Sequence, residues 1–245
     1  MGVDGSTKAS TKCMRKLFNI FIASFLLISC AEKIEPFDAS DGLDLLPLSI
    51  GNEWNYRITE ISFEISGFDT TMYFIKEQVI DSSQSGGAIV YTVEVSTRSI
   101  ETEDRQVTSR YVIDKTNITL VRKQGNRSNV LLTYPVSEGK SWDRNAFNTE
   151  EPMNVFYSSE LPTLSEYDIQ SVETDFSMPV QTVWISNYEA DIVRQDQRYE
   201  VYLPGIGLAE KKSIVLEFCT VNCVSTGQIN TGRYYLQELT SYVVD

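Results

Sequence analysis

Pro47-Leu-Ser-Ile-Gly-Asn-Glu-Trp-Asn-Tyr56 is the stretch that decides the fold, because its skeleton Pro47-x-Ser49-x-Gly51-x-x-Trp54 returns as Pro135-x-Ser137-x-Gly139-x-x-Trp142. In each copy the Pro fixes φ and ends what precedes it, the Gly permits a tight positive-φ turn, and the Trp anchors the start of the next strand. The repeat predicts two β halves, 47–134 and 135–245, as two domains or as parts of one. Trp54 and Trp142 are then equivalent core anchors, both largely buried. The competing expectation is an exposed pair that stacks on sugars.

Downstream of the first copy, apolar residues alternate as Trp54, Tyr56, Ile58 and then Ile61, Phe63, Ile65, and the change of phase near Thr59-Glu60 predicts a bulged strand. A strand at 70–80 with Tyr73, Ile75, Glu77 and Val79 follows, then Ile89, Tyr91, Val93 and Val95, with a turn expected at Ser66-Gly-Phe-Asp69 and a breaker at 81–87. Further strands are expected at 106–115, 118–122 and 130–134, spaced as in a β-meander. In the second half 143–166 is the least periodic part, and strands are expected near 154–157, 167–173, 182–186, 198–203, 211–218 and 232–244. No dozen residues keep a 3.6 period, so the fold class is all-β, a mainly antiparallel meander or curved sheet. Leu203-Pro-Gly-Ile-Gly-Leu208 is a hinge between strands; it lacks the third Gly and the helix of a dinucleotide fingerprint.

Upstream, Lys12, Arg15 and Lys16 precede the apolar run Leu17–Ile28 and Ser29-Cys30. That run has the length of a signal-peptide core, ~7–15 residues, and falls short of the ~20 that span a bilayer. Residues 1–29 are expected to be a cleaved signal, with Met14 as an alternative start, and 30–46, with its scattered acids, a solvated tether. The acids at Asp41 and Asp44 lack the remaining ligands of a calcium loop. Losing 1–29 removes four basic residues and one acid, so the formal charge of −13 becomes −16. So acidic a chain repels phosphate backbones, and nucleic acid is not an expected partner. Cys219 and Cys223, separated by Thr220-Val-Asn222, are expected to form a disulfide across a hairpin loop. The alternative, a metal site, is poor with no histidine in the chain, and no metal or cofactor is expected.

Leu27-Ile-Ser-Cys30 resembles the lipobox of bacterial lipoproteins, which implies that Cys30 carries the lipid; the alternative is a secreted, unlipidated protein. Together with Pro47–Tyr56, Tyr134–Asn148, Tyr199–Leu208 and Leu239-Thr-Ser-Tyr242, it resembles uncharacterised lipoproteins of Bacteroidota. The resemblance implies a β-rich lipoprotein of the outer membrane or cell surface, and brings no activity or catalytic residues. Ala31 after Cys30 is compatible with outer-membrane delivery, and Ala31-Glu-Lys33 matches a surface-export tag only in part, leaving both faces of the membrane open.

The absence of histidine removes Ser-His-Asp, Cys-His and His-zinc chemistry together. Paired carboxylates, drawn from Glu150, Glu151, Asp168, Glu173 and Asp191, leave a glycosidase conceivable, but with 33 acids in the mature chain (34 less Asp4) a solvated acidic face is the plainer reading. Tyr188, Tyr199, Tyr202, Tyr234 and Tyr235 read as ordinary strand packing or as a sugar- or peptide-binding face. The expected function is a lipid-anchored, non-enzymatic binding or envelope-structural protein whose protein, glycan or lipid ligand is unnamed by the sequence. The alternatives are a carrier of apolar ligands on a curved sheet, like lipoprotein-localisation factors, and the glycosidase.

Overall fold

The computed structural model describes residues 44–159, 181–185, 189–221, 223 and 227–245, all within the compact unit Pro36–Asp245. Among the described residues thirteen strands form one antiparallel sheet. They are β1 Glu53–Glu64, β2 Gly67–Ser85, β3 Ala88–Arg98, β4 Gln106–Lys115, β5 Thr119–Gln124, β6 Arg127–Thr133, β7 Ser141–Asp143, β8 Asn154–Ser158, β9 Gln181–Ile185, β10 Glu189–Ala190, β11 Arg194–Leu203, β12 Gly207–Phe218 and β13 Ile229–Val243. Their order is β6-β5-β4-β3-β2-β1-β13-β12-β11-β9-β8-β7, with β10 on β11. Among the described strands two pairs depart from a meander: β1–β13, which joins the two halves, and β9–β11, which passes over β10. The fold class is the expected one, while a strand at 167–173 lies outside the described residues.

The two end strands meet. Val130 N–H in β6 donates to Arg144 C=O just beyond β7 (2.9 Å), and the Trp142 indole donates to Val130 C=O (3.0 Å). The Tyr157 hydroxyl donates to Thr133 C=O and accepts from Thr133 N–H, at 2.9 and 3.1 Å. Side chains thus stand in for part of a strand ladder, and the sheet is curved and nearly closed, satisfying edges that would otherwise invite association.

The inner face holds Trp54, Tyr56 and Ile58 with Val79, Val93, Ile113, Leu120, Leu132, Val155, Tyr157 and Val183, so both halves contribute to one core. Leu45, Leu46 and Leu48 are buried in it. Asp44 C=O accepts from Gly205 N–H (2.8 Å), and its carboxylate pairs with Lys115 (3.2 Å). The expected tether to residue 46 is corrected here: burial of Leu45 and Leu46 makes 44–46 part of the fold.

The expected bulge near Thr59-Glu60 is also absent. Strand β1 pairs with β2 without a shift from Glu53 to Glu64, and the shift against β13 falls between Asn55 and Tyr56, where Thr240 is the extra residue. The phase changes because the buried face changes. Ile61 and Phe63 point to the opposite face, where they pack with Ile214, Leu216, Phe218, Tyr234 and Leu236 in a second cluster.

Both copies of the repeated motif fold alike. Asn52 N–H donates to Ser49 C=O (3.0 Å) and Lys140 N–H to Ser137 C=O (3.1 Å), closing turns with Gly51 (φ 100°) and Gly139 (φ 72°) at the position that requires positive φ. Gly51 N–H and Gly139 N–H then donate to Val79 and Tyr157 C=O, both at 2.9 Å. Val79 and Tyr157 N–H return bonds to Asn52 and Lys140 C=O, at 2.9 and 3.0 Å.

Candidate functional site

Alternation along the strands sends charged as well as apolar side chains inward. Trp54, Tyr56 and Ile58 fill one end of the inner face, and the next inward residue of β1 is Glu60, whose carboxylate accepts a bond from the Tyr73 hydroxyl (2.8 Å). Beyond them the inner face is polar. It surrounds a cavity of about 490 Å³ whose lining includes Arg122, Arg127, Arg144, Arg198, Glu200 and Lys211. The end of β5 and the loop after β7 contribute Gln124, Asn145 and Glu150 to it.

Glu200 is the hub. Arg144 grips both carboxylate oxygens, Nη1 to Oε1 at 2.8 Å and Nη2 to Oε2 at 2.7 Å, and Lys211 Nζ lies 3.1 Å from Oε1. The Tyr202 hydroxyl donates to Oε2 (3.0 Å). Burial disfavours the carboxylate, but the charges of Arg144 and Lys211 outweigh it and hold Glu200 well below the usual range. The same register explains the contact, since Glu200 pairs with Lys211 across β11 and β12 and with Val183 across β9.

Glu77 on β2 shows the opposite balance. Burial pushes its carboxyl up, against the charges of Arg122 and Lys211 and a bond from the Tyr111 hydroxyl. Arg122 lies with its guanidinium 3.8 Å from the Tyr111 ring centroid and donates to Gln124 (3.0 Å). Arg198 is forked onto Asp196 at 2.7 and 2.6 Å, and Arg127 pairs with Glu150 at the rim (2.8 Å).

The carboxylates singled out in the sequence do not assemble into a pair among the described residues. Glu150 and Glu151 are exposed in the loop between β7 and β8. Asp191 is exposed in the turn before β11, where Val193 and Arg194 N–H donate to it, both at 2.7 Å, and hold its pKa down. Asp168, Glu173, Tyr188 and Cys30, with the signal segment, lie outside the described residues.

The described tyrosines of that set form no common binding face. Tyr199, Tyr202 and Tyr234 are buried, with Tyr202 on the inner face and Tyr234 in the opposite cluster, and Tyr235 donates to Gln237 (2.8 Å). Trp54 is 2% exposed, its indole donating to Ile206 C=O (2.5 Å), whereas Trp142 is half-buried against Tyr157 (4.7 Å between centroids). The expectation of equal burial is corrected: both indoles face inward, but β7 is a three-residue end strand and β1 lies in the middle of the sheet. Cys219 and Cys223 are disulfide-bonded between β12 and β13, with Cα atoms 5.6 Å apart. Among the described residues no group of three or more His, Cys, Asp or Glu is arranged to hold a metal ion.

Sequence reading missed Arg122, Arg144, Glu200 and Lys211 as a site. The available signal was charge on an apolar face: Glu77 sits between Ile75 and Val79 at inward positions, and Glu200 shares its face with Tyr202.

No family model matches the chain, and no curated protein is significantly similar to it. Among solved structures it is similar to a predicted exported protein with a YmcC-like fold from Bacteroides fragilis, at 9% identity and a TM-score of 0.40, over 81% of this chain and 98% of that one. It is also similar to a predicted lipoprotein from Parabacteroides distasonis, at 8% identity and a TM-score of 0.39, over 83% of this chain and 100% of that one.

Proposed function

We propose that this protein is a lipid-anchored, non-enzymatic binding lipoprotein of the bacterial outer membrane, held by Cys30, whose small polar ligand occupies the cavity inside the curled sheet. The observation that carries the reading is the cavity itself: about 490 Å³, within the ~300–1,000 Å³ of small-molecule sites, and lined by preorganised charged groups. The chain has no histidine, and the lining carboxylates Glu150 and Glu200 are each paired with cations, which supports binding over acid–base chemistry. The apolar-carrier alternative gains little, because Leu46, Leu48, Trp54 and Tyr56 fill the apolar end and leave about 60 Å³ there.

Attachment is tested by Cys30→Ser, which should abolish labelling by radioactive palmitate; persistent labelling would place the lipid elsewhere. Binding is tested by purifying wild-type protein and Ser213→Trp from native membranes and analysing the released small molecules by mass spectrometry. Ser213 lines the cavity, so an indole there should exclude a ligand that wild type retains. Equal recovery from both would overturn the cavity reading.

A further inference from the structure

The charges around the cavity do not cancel. Arg144 and Lys211 share the single carboxylate of Glu200, which leaves one positive charge in excess. Arg122 pairs with no carboxylate among the described residues. Its guanidinium is nonetheless fixed, by the Tyr111 ring on one face and by Gln124 at Nη2. A planar fork held in place beside a cavity loses little rotamer freedom when it grips an oxyanion, and it does so bidentately. Glu77 lines the apolar end together with Arg122, but among the described residues the two form no ion pair, and burial pushes the Glu77 carboxyl up. Of the remaining lining cations, Arg127 and Arg198 are engaged by Glu150 and Asp196, and Lys212 lies over the ring of Tyr234 in the second cluster (5.6 Å). Between the two unneutralised centres the lining offers neutral hydrogen-bonding groups, Gln124, Asn129 and Ser213, suited to hydroxyls.

Resting on the cavity reading above, we infer that the ligand is a small polyhydroxylated anion, a sugar acid or sugar phosphate, whose charged group is held between Arg122 and the Arg144–Glu200–Lys211 cluster. The chain as a whole carries −13, so its long-range field does not gather anions. Selectivity for them must come from these contacts, made inside the sheet.

The test measures binding of galacturonate, galactose 6-phosphate and galactose to the full lipidated protein in detergent by calorimetry. The three share a ring, so the comparison isolates the charged group and separates carboxylate from phosphate. At least one anion should bind roughly ten- to a hundredfold tighter than galactose, the range expected for a charge-assisted fork. Arg122→Gln and Lys211→Gln should each remove most of that preference, and Arg122→Lys, which keeps the charge but not the fork, should lose part of it. Equal binding of all three sugars would overturn the anion assignment and leave the cavity reading standing. A preference that survives in both Gln variants would place the anion elsewhere. No binding of any of the three would overturn the inference, while recovery from Ser213→Trp judges the cavity reading separately.

Discussion

The two copies of the Pro-x-Ser-x-Gly-x-x-Trp motif make the same turn and the same pairings, yet they end in different environments. In the first, Trp54 lies opposite Glu77 and Tyr56 opposite Ile75; in the second, Trp142 lies opposite Val155, and Arg144 N–H donates to Met153 C=O at the site equivalent to Tyr56 (2.8 Å). Strand β1 has a long partner on each side, β2 and β13, whereas β7 has only β8, with the side-chain-assisted seam to β6 on its other edge. Local sequence therefore fixes the turn and the hairpin, and the neighbours on the far side fix burial. The position two residues after the Trp shows the functional consequence. In the first copy it delivers Tyr56 to the apolar core, and in the second it delivers Arg144 to Glu200 and the cavity wall.

The largest expected effect separates the two indoles. Trp54→Ala should cost about 3–5 kcal/mol, because it empties a fully enclosed site and strands the Ile206 carbonyl. Trp142→Ala, at a half-buried site on an end strand, should cost about 1–3 kcal/mol. Urea unfolding of the two variants measures both, and equal costs would mean that the shared turn, not the neighbouring strands, governs the anchors. Gly207 belongs to the first environment alone: it has φ of 123°, and a Cβ there would lie 2.8 Å from the Trp54 indole nitrogen. The Pro-Gly hinge read from the sequence is thus also the surface against which Trp54 packs.

The second contrast is Arg144 against Tyr56. Arg144→Met leaves Glu200 with Lys211 as its only cation, and loss of one partner from a buried pair costs about 3–5 kcal/mol. Tyr56→Phe, at the equivalent position, should cost about 1 kcal/mol. Acid adds a signature. Glu200 has its folded pKa held down, so its contribution is complete above the unfolded value of about 4.3 and is lost as the pH falls towards the folded value. Glu77 has the opposite sign, its folded pKa being raised, so it takes stability away as the pH rises from about 4.3 through the folded value. Arg144→Met should therefore flatten the loss of stability on acidification that wild type shows, and Tyr56→Phe should leave it intact. A wild-type acid profile retained in Arg144→Met would deny the Arg144–Glu200 pair its role.

How much of this was legible follows from range. Strand positions, the all-β class and the turn at each Gly rest on contacts within about a dozen residues, and alternation records them. The phase change in β1 was legible as a fact but not as a cause, because two buried faces and one bulged face leave the same pattern. The site was not legible, because Arg122, Arg144, Glu200 and Lys211 come from β5, the residue after β7, β11 and β12. Curvature of the sheet brings them together, and nothing local in the chain encodes that curvature. Even the near-closure depends on Trp142, Tyr157, Asn145 and Asn148 reaching across to β6, side chains whose separate roles no spacing announces.

The smallest expected effect tests that seam. Trp54→Phe and Trp142→Phe keep an aromatic ring in each copy and remove the indole N–H together with part of the ring volume. In the first copy the bond lost is buried and reaches Ile206 in the turn between β11 and β12, so its carbonyl is left unsatisfied at about 1–3 kcal/mol. In the second the bond to Val130 C=O is only part-buried, and the cost should be about 0.5–1.5 kcal/mol. The location of the effect matters more than its size. Val130 carries two of the bonds that join β6 to the β7 end, one through its carbonyl and one through its N–H to Arg144. Weakening the first should raise local opening at the second, so hydrogen exchange of the Val130 amide should speed up in Trp142→Phe while the Val79 amide, at the equivalent place in the first copy, stays unchanged. Trp54→Phe should leave Val130 as protected as in wild type. Exchange that accelerates alike across β1, β2 and β6 in Trp142→Phe would show that the seam does not open as a separate unit and that the two copies unfold together.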